Sequence, residues 1–570
     1  MSMRISIITT AILLGVSCQS MGANRSLSVD TSSREQTRNF YNGVYRSVEQ
    51  IRSEWQGDVS QCDAGQTSAA YAEATLLRVN YYRAMAGVPA AVGQDGTLSA
   101  KAQAAALMMS ANDRLSHFPT PDWSCQTPEG IEAAANANLA LGSAGFEAVD
   151  NLMFDWGDNN PAVGHRRWIL FPGTRIMGVG NIEPAVESGY PLTQALWIID
   201  EGAWTRPRPK TRDTFVSWPP EGYLPHPLVP ERWSFSYPDA DFSQATATVQ
   251  TDEGFIPVTL EPVLDGYGDN SLVWVTDVPS RPFRVDTRYT VTLDNVRIQG
   301  KPERFEYDVV LFDPAQPGPD TVLPAITRGP SRTKAGINAR YTVRKVPNVS
   351  GYQWLWVRAA SYDLIHDAES GLGALQTEPA QPAYPVLSDD IHASGQTAYH
   401  LAQTDQTTTA LIWQGSFVPG GQSVLQFASR LGWATAEQAA DVDVSVDDGH
   451  TWITLYHQGG TDSSGERVFS AKTVDLSAYA NRLIRLRFHY GSERRFYPQA
   501  SAGVGWYLDN IRLVRVLHTT TEPQTGSIKN GGFTFTPQVP GRHFLATRAV
   551  LSGQYPLEWT RLKPVTVLAP

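Results

Sequence analysis

Three cysteines are the residues whose chemistry this sequence constrains most closely, and their number is odd. An odd count fits no simple disulfide scheme unless one thiol has a separate role. The first of them, Cys18, follows a positively charged Arg4 and a twelve-residue apolar run, 5–16. A run of this length is too short to cross a bilayer as a helix, which needs about 20 residues. It is typical of a secretory signal, so we expect residues 1–17 to be a signal peptide and the protein to be exported.

The residues that end this run bear on the role of Cys18. The segment 14–18, Leu-Gly-Val-Ser-Cys, resembles the bacterial lipobox, in which a small residue precedes a cysteine that is lipidated and becomes the mature N-terminus. On this hypothesis residues 18–33 are a lipid-anchor tether, the lipid is the only contact with a membrane, and Gln19 indicates the bacterial outer membrane. Gly15 stands where a leucine-like residue is usual. Cleavage after Ser17 by an ordinary signal peptidase is the alternative, and it would give an extracellular protein.

Lipidation of Cys18 leaves Cys62 and Cys125 as a pair. In an exported protein, two cysteines most simply form one disulfide. The alternative is two buried free thiols, which an oxidising compartment disfavours.

Length and composition indicate several folded domains. The chain has 570 residues, which is a prior of about four domains. Hydrophobic residues make up 42% and charged residues 18%, so the domains can bury cores and wholesale disorder is disfavoured. The net charge of −11 argues against a nucleic-acid partner. Neither a His-Glu-x-x-His nor a Gly-x-Ser-x-Gly motif occurs, which lowers the expectation of an enzyme.

Apolar periodicity separates a helical N-terminal block from a β-rich remainder. Leu98, Ala102, Ala105 and Met109 recur as one buried helix face requires. Strand-like runs follow the helices, so 34–205 is predicted to be an α/β sandwich.

The rest of the chain is predicted to be all-β. Residues 204–230 are rich in Pro and Arg and indicate a linker, and 215–315 is predicted to be a β-sandwich. Residues 325–378 hold too few strands for a sandwich of their own. We predict that 325–378 and 528–570 form one split Ig-like sandwich, with 380–516 inserted in a loop of it as a jelly-roll domain. The alternative is three separate modules in series.

Five motifs of the helical block, in this order, resemble the CAP superfamily of cysteine-rich secretory, antigen 5 and plant pathogenesis-related proteins. They are Leu77–Arg83, Leu115–His117, Asn138–Gly142, Val163–Leu170 and Met177–Gly180. The resemblance covers about 70–200. It implies an α-β-α sandwich with a surface cleft, which in many members holds two histidines and two acidic residues and can bind zinc.

By the same resemblance, His117 and His165 are the two histidines that would hold zinc. The acidic partners match poorly: Ala137 stands where the family has glutamate, Glu132 is nearby but out of register, and Asp155 lies near the second acidic position. Two imidazoles are two ligands, whereas a catalytic zinc site uses three protein ligands and a structural site four. The alternative is a hydrogen-bonded structural pair of histidines lining the cleft.

The end of the inserted domain, 505–511, resembles jelly-roll domains of the MAM and carbohydrate-binding type. Such domains often hold a structural calcium, and Asp509 is the matching candidate ligand. The alternative is that Asp509 only caps a strand.

Two functions from different classes follow. Several β modules and no complete catalytic set favour a non-enzymatic cell-surface binding protein, whose cleft and jelly roll would hold a small ligand, a glycan or a protein. The alternative is a zinc-dependent hydrolase acting on a peptide or cell-wall substrate, with His117 and His165 holding the metal and Asp155 or Glu132 as the base.

Overall fold

The computed structural model describes the chain from residue 26 onward, with short gaps. The described residues are 26–570 except 50, 186–187, 279–284, 316–322, 347–348, 362–363, 405–407, 450–451, 493–495, 521–522 and 552–554. The predicted signal peptide and the lipidation site at Cys18 lie outside them. Within them, no helix is both long enough and apolar enough to span a bilayer.

Residues 26–33, which the sequence assigns to a tether, pack on the folded protein. The backbone N–H of Leu27 donates to Ala90, and Thr31, which is buried, accepts from the N–H of Tyr223. The part of the predicted tether that is described therefore belongs to the folded body.

Residues 34–197 form a small sheet with helices on both faces. The helices are α1 (Arg34–Phe40), α2 (Ala69–Met85), α3 (Gly96–Asn112), α4 (Pro128–Asn136), α5 (Gly145–Phe154) and α6 (Gly164–Ile169). The strands are β1 (Gln56–Asp58), β2 (Asp63–Gln66), β3 (Gly93–Gln94), β4 (Ala137–Leu141), β5 (Ile176–Ile182) and β6 (Thr193–Trp197). The order in the main sheet is β3-β5-β6-β4, and β1 pairs with β2 apart from it.

Alternation along β6 divides its side chains between two cores. Leu196 packs in the core that contains α2, α5 and α6, whereas Ala195 and Trp197 pack in the core that contains α3 and α4. The predicted stripe of α3 faces the second core, with Ala102 and Met109 fully buried. The α-β-α sandwich is therefore confirmed.

The next module is a two-sheet β-sandwich. Its strands are β7 (Val216–Trp218), β8 (Gly222–Pro225), β9 (Arg232–Ser236), β10 (Thr246–Thr251), β11 (Gly254–Ile256), β12 (Val258–Leu260), β13 (Ser271–Thr276), β14 (Thr287–Ile298) and β15 (Lys301–Phe312). The two sheets have the orders β11-β10-β14-β15-β8 and β12-β13-β9-β7.

Part of the predicted linker, 204–230, is wrong, because it contains β7 and β8. Both strands lie at sheet edges, where proline is tolerated since one side of an edge strand needs no ladder hydrogen bond. Trp218 and Leu224 are fully buried in the core that also holds α2, and the rings of Trp218 and Tyr82 lie 5.2 Å apart. The helical block and this sandwich thus share one continuous core.

Strands from two distant parts of the chain pair in the third module. They are β16 (Ile326–Arg328), β17 (Arg332–Lys334), β18 (Ala339–Val343), β19 (Gly351–Ser361), β31 (Gln524–Ser527), β32 (Gly532–Phe535), β33 (Gly541–Leu551), β34 (Tyr555–Pro556) and β35 (Lys563–Leu568). β18 pairs with β32, β19 with β31 and β33, and β17 with β35.

The intervening strands build a second sandwich with its own core. They are β20 (Leu364–His366), β21 (Leu375–Glu378), β22 (Leu387–Ser388), β23 (Ala398–Leu401), β24 (Thr409–Trp413), β25 (Phe417–Leu431), β26 (Ala439–Ser445), β27 (Ile453–Gly459), β28 (Ser470–Asp475), β29 (Arg485–Gly491) and β30 (Trp506–Thr519). One sheet contains β22, β23, β30, β25 and β28, and the other has the order β21-β24-β29-β26-β27. We call residues 364–519 the jelly roll.

The boundary before the jelly roll differs from the predicted one. β20 and β21 lie in the segment that the sequence assigns to the split sandwich, but they pair with β30 and β24 of the jelly roll. Short strands before a long connection carry no local signal of which sheet they will join, so the sequence misplaces the boundary.

The partly buried His489 on β29 predicts a pH dependence of jelly-roll stability. Burial lowers its pKa to about 4, and the Arg487 charge adds to the lowering. The folded state therefore binds the proton less readily than the unfolded state, whose histidine titrates near 6.5. The contribution of His489 is complete above pH 6.5 and is lost as the pH falls towards 4, by at most about 1.4 kcal/mol per pH unit.

Thermal unfolding at pH 7.5 and 4.5 measures this effect. The melting temperature of His489→Gln should fall less between the two pH values than that of wild type. His392→Gln, at an exposed position, is the matched control and should behave like wild type. Equal acid sensitivity of His489→Gln and wild type would contradict the assignment.

Candidate functional sites

His165 lies in the first turn of α6, and Asp155 holds it by two bonds. Asp155 Oδ1 lies 2.7 Å from His165 Nδ1, and Oδ2 accepts the backbone N–H of His165 at 3.1 Å. The side chain of Asp155 is fully buried, whereas 24% of the His165 side chain is exposed. The carboxylate therefore sets the ring orientation and leaves Nε2 as the nitrogen that a ligand can reach.

His117 is oriented in a comparable way by a backbone carbonyl. Its Nδ1 lies 2.7 Å from the Ala134 oxygen in α4, and since a carbonyl only accepts, Nδ1 donates. Asn138, which follows α4 in β4, donates its side-chain N–H to the His165 carbonyl at 3.0 Å. His117 is thus tied to α4 and His165 to β4, the strand that follows it, and no hydrogen bond joins their rings among the described residues.

Glu132 is engaged elsewhere. Both of its carboxylate oxygens lie 2.7 Å from Lys101 Nζ on α3. Of the four residues that the family resemblance singles out, the structure therefore brings His165 and Asp155 into contact, ties His117 to α4, and pairs Glu132 with a lysine.

The donor set is short for catalytic zinc. Metal-binding histidines usually donate their second ring N–H to a carboxylate or a carbonyl, as His165 and His117 do. A catalytic zinc site needs three protein ligands, however, and the described residues contain no group of three or more His, Cys, Asp or Glu side chains placed to hold a metal ion. Zinc binding by the two imidazoles stays a prediction, and we derive no chemical step through it.

The two arginines after His165 connect α6 to the β-sandwich. Arg166 Nη1 donates to the Arg232 carbonyl at 2.8 Å, and Arg167 Nη1 donates to the Leu264 carbonyl at 2.7 Å. Burial lowers the pKa of each arginine to about 10. No sequence motif reveals these contacts, because their acceptors are main-chain carbonyls of another module.

The β-sandwich also supplies a wall beside His165. The ring of Tyr267 covers Gly164, where an added Cβ would lie 2.7 Å from it. Arg167 also contacts this ring, with its guanidinium carbon 5.3 Å from the Tyr267 ring centroid. Only glycine leaves room for this close approach, so the residue before His165 is set by a contact between modules.

The predicted disulfide is confirmed. Cys62 and Cys125 are bonded, with their Cα atoms 5.1 Å apart and a sequence separation of 63. The bond links the turn after β1 to the loop before α4, which also carries His117. It therefore restrains the loop on which one of the two histidines lies.

A second candidate site is an open hollow of about 640 Å³ on the jelly roll. Its floor is formed by β25 and β28, where Ala428 lies opposite Ala471. Its two walls are the segments 390–393 and 467–469. The sequence does not reveal this site, because its parts come from three separated segments without a motif.

Buried Asp509 holds the first wall. Its Oδ2 accepts the backbone N–H groups of Ala393 at 2.8 Å and Ser394 at 3.0 Å, and its Oδ1 accepts that of Asn510 at 2.6 Å. These three bonds give the carboxylate its partners and pin the loop to β30. Calcium binding by Asp509 stays a prediction, and nothing below depends on it.

Glu466 holds the second wall. Its Oε2 accepts the backbone N–H of Leu431 at 2.7 Å, and its own N–H donates to the Leu431 carbonyl at 2.7 Å. Both walls are therefore anchored to the ends of strands, so the hollow is preformed.

A family model matches the part of the chain that carries the two histidines. The model of CAP, the cysteine-rich secretory protein family, matches residues 76–183. These residues form a CAP-type domain. The match includes His117, Asp155 and His165, and it confirms the resemblance that the sequence motifs indicate for this part of the chain. No curated protein matches the chain.

Several solved structures are similar to parts of the chain. The C-terminal CBM6 of LamC, a marine laminarinase from Zobellia galactanivorans, is 14% identical, with 27% of this chain and 99% of that chain covered and a TM-score of 0.17. A beta-1,2-glucanase from Parabacteroides distasonis is 12% identical over 39% of this chain and 38% of that chain, with a TM-score of 0.17. The adhesin domain of Epf from Streptococcus pyogenes is 9% identical over 44% of this chain and 99% of that chain, with a TM-score of 0.15. At TM-scores this low, none of the three establishes a ligand for this chain.

Proposed function

We propose that this protein is an exported cell-surface binding protein that holds a glycan on its jelly roll, with the CAP-type domain and the first β-sandwich as the body that carries it. The observation that carries the proposal is the preformed hollow. Its volume of about 640 Å³ lies within the range of about 300–1,000 Å³ of small-molecule sites.

The groups that line the hollow suit a hydrophilic ligand. Sugar hydroxyls both donate and accept, so a saccharide site needs both kinds of partner. Arg430 and Arg467 donate, Asp390 accepts, and Ser470 does both. A purely apolar ligand would leave these groups unpaired, at a cost of about 1–3 kcal/mol for each group that becomes buried.

Binding of the full-length protein to an immobilised glycan array tests the proposal. Wild type should retain at least one saccharide, and Ala471→Trp, which fills the floor without changing a charge, should not. Ile337→Trp, at an exposed position outside the jelly roll, is the matched control and should bind like wild type. Retention of no saccharide by wild type would contradict the proposal. Cell fractionation of wild type and Cys18→Ser tests the lipid anchor separately.

A second candidate function is hydrolysis in the CAP-type domain, which the Asp155–His165 pair favours. A buried carboxylate on Nδ1 of a partly exposed histidine orients the ring, so that Nε2 can take a proton from water or a substrate hydroxyl. The same carboxylate stabilises the imidazolium that would form. On this alternative His165 is the base and Asp155 its positioning residue.

Turnover of peptide and peptidoglycan substrates by the full chain, with and without chelator, separates the two candidates. Turnover that is lost in His165→Ala and reduced in Asp155→Asn would support the hydrolase. Chelator sensitivity of that turnover would show that a metal takes part. Turnover that is unchanged in His165→Ala would exclude this site as its source.

A further inference from the structure

We infer that the hollow of the jelly roll takes a saccharide that carries a carboxylate, such as a uronic-acid chain, and that Arg430 binds the acid group. This inference rests on the proposed glycan-binding function and adds the chemical class of the ligand. Four features of the hollow carry it: an incompletely paired arginine, the local charge, the small floor and the fixed walls.

Arg430 has hydrogen-bonding capacity that the protein does not use. It lies on β25 opposite Tyr507 of β30, with its guanidinium carbon 5.5 Å from the tyrosine ring centroid. Its Nη1 is shielded from solvent and has no hydrogen-bond partner among the described residues, so an acid group in the hollow would approach the guanidinium through Nε and Nη2. A shielded donor without an acceptor is costly. The planar guanidinium matches a carboxylate in a two-bond arrangement, so an acid group is the acceptor that suits it best.

Among the side chains that line the hollow, basic ones outnumber acidic ones. The chain carries −11, yet the lining contains two arginines, Arg430 and Arg467, against one acid, Asp390. Arg467 is exposed on the opposite wall and forms no ion pair with any described residue. Two arginines beside one acid suit a ligand with a single carboxylate, whereas a doubly charged phosphate would face stronger repulsion from Asp390.

The floor leaves room for a flat ring. Ala428 and Ala471 are directly opposite each other on β25 and β28, so two methyl groups stand where larger side chains would close the hollow. Phe469 lines one side and is half-buried. A sugar ring packed against this surface would place its acid group towards Arg430 and its hydroxyls towards Asp390.

Hydrogen bonds hold the wall segments in place, so the loops need little further ordering when a ligand binds. Asp509 and Glu466 hold the two wall segments by the hydrogen bonds described above. Glu369 Oε1 holds the residues that follow the first wall, because it accepts the backbone N–H groups of Gln396 at 2.8 Å and Thr397 at 2.9 Å. These bonds lower the pKa of Glu369, so the carboxylate stays ionised and keeps its hydrogen bonds at neutral pH. A preformed site spends less of its binding energy on ordering loops.

Isothermal titration calorimetry on the full-length protein tests the inference. The probes are trigalacturonate, triglucuronate, the methyl ester of each, and the neutral galactotriose and cellotriose. At least one uronate should bind, and its methyl ester should bind about 10- to 100-fold more weakly, since a charge-assisted contact is lost.

Variants locate the contact. Arg430→Gln should weaken uronate binding by about 10- to 100-fold, and Arg467→Gln should weaken it less, because Arg467 is on the exposed wall. Arg340→Gln, the same change at an exposed position on β18, is the matched control and should bind like wild type. An unchanged melting temperature of Arg430→Gln shows that the fold is intact. If Arg430→Gln does not fold, Ala471→Trp replaces it as the site variant and should abolish binding.

The outcomes separate the inference from the proposed function. Equal binding of a uronate and its ester, or binding of the neutral trisaccharides only, would overturn the carboxylate and leave glycan binding in place. Displacement of the uronate by millimolar inorganic phosphate or sulfate would show a general anion site and overturn the saccharide acid. Failure of both uronates and of the whole glycan array would overturn both.

Discussion

Replacing Arg166 by methionine is expected to destabilise the N-terminal half of the protein by about 4 kcal/mol. The side chain is fully buried in the contact between the CAP-type domain and the first β-sandwich. Its guanidinium donates to the carbonyls of Met153, Phe154 and Arg232 and to the Ser234 hydroxyl. Methionine fills a similar volume but donates nothing, so those acceptors stay buried without their partner.

Two further variants show that geometry as well as charge is needed. Arg166→Lys keeps the charge but presents it at one point, which cannot reach acceptors on two modules at once, so we expect most of the loss to remain. Arg114→Met is the matched control, since this arginine is 64% exposed in a loose pair with Asp122. It should change the free energy of unfolding by less than about 0.5 kcal/mol.

Calorimetric melting of the full-length protein measures both effects. Because the CAP-type domain and the β-sandwich share one core, Arg166→Met should shift the transition of both together. A shift of the CAP-type transition alone, or a loss no larger than that of Arg114→Met, would contradict the coupling. Since Arg166 follows His165, the variant should also perturb any activity or metal binding at that histidine.

Replacing Glu558 by glutamine is expected to cost about 3 kcal/mol of stability. Glu558 lies between three modules. Its Oε1 lies 3.5 Å from Arg38 Nη1 of α1, and its Oε2 lies 3.2 Å from Arg482 Nη1 of the jelly roll. All three side chains are at most 18% exposed, so glutamine would leave two arginines close together without the acid between them.

A double-mutant cycle gives this prediction its control. If Glu558→Gln acts through Arg38, which keeps only a longer, 4.0 Å contact with Glu35, the loss should be smaller in the background of Arg38→Met than in wild type. Glu306→Gln, at an exposed carboxylate paired with Arg304, should cost less than about 0.5 kcal/mol. Additive effects of Arg38→Met and Glu558→Gln would contradict the proposed ion-pair cluster.

Glu558 is one of two acidic residues whose contacts hold the jelly roll against the neighbouring modules. Asp448 of the jelly roll makes a second contact with the split sandwich, where its Oδ2 accepts from Arg548 Nη1 and Trp559 Nε1, both at 3.0 Å. Two such contacts restrain the jelly roll against its neighbours. We therefore expect Glu558→Gln to loosen the jelly roll before it affects the hollow itself, with glycan binding retained below the melting temperature.

Local sequence patterns determine much of this molecule. The 3.6-residue stripe of α3 follows from side-chain spacing alone, and the alternating strands of the β modules follow from a period of two. The motif order around His117 and His165 indicates the CAP-type domain that the family model matches at 76–183. The pairing of Cys62 with Cys125 is the one predicted from the number of thiols on the hypothesis that the chain is exported.

Only the tertiary structure determines what those residues contact. Arg166 and Arg167 donate to main-chain carbonyls of the β-sandwich, and main-chain acceptors carry no sequence signature. The hollow joins segments near residues 391, 430 and 468, and Glu558 meets Arg38 from 520 residues away. Periodicity reports which face of an element is buried, whereas the partner on that face depends on how the modules pack. The chemistry of these sites therefore follows from contacts that the sequence does not encode locally.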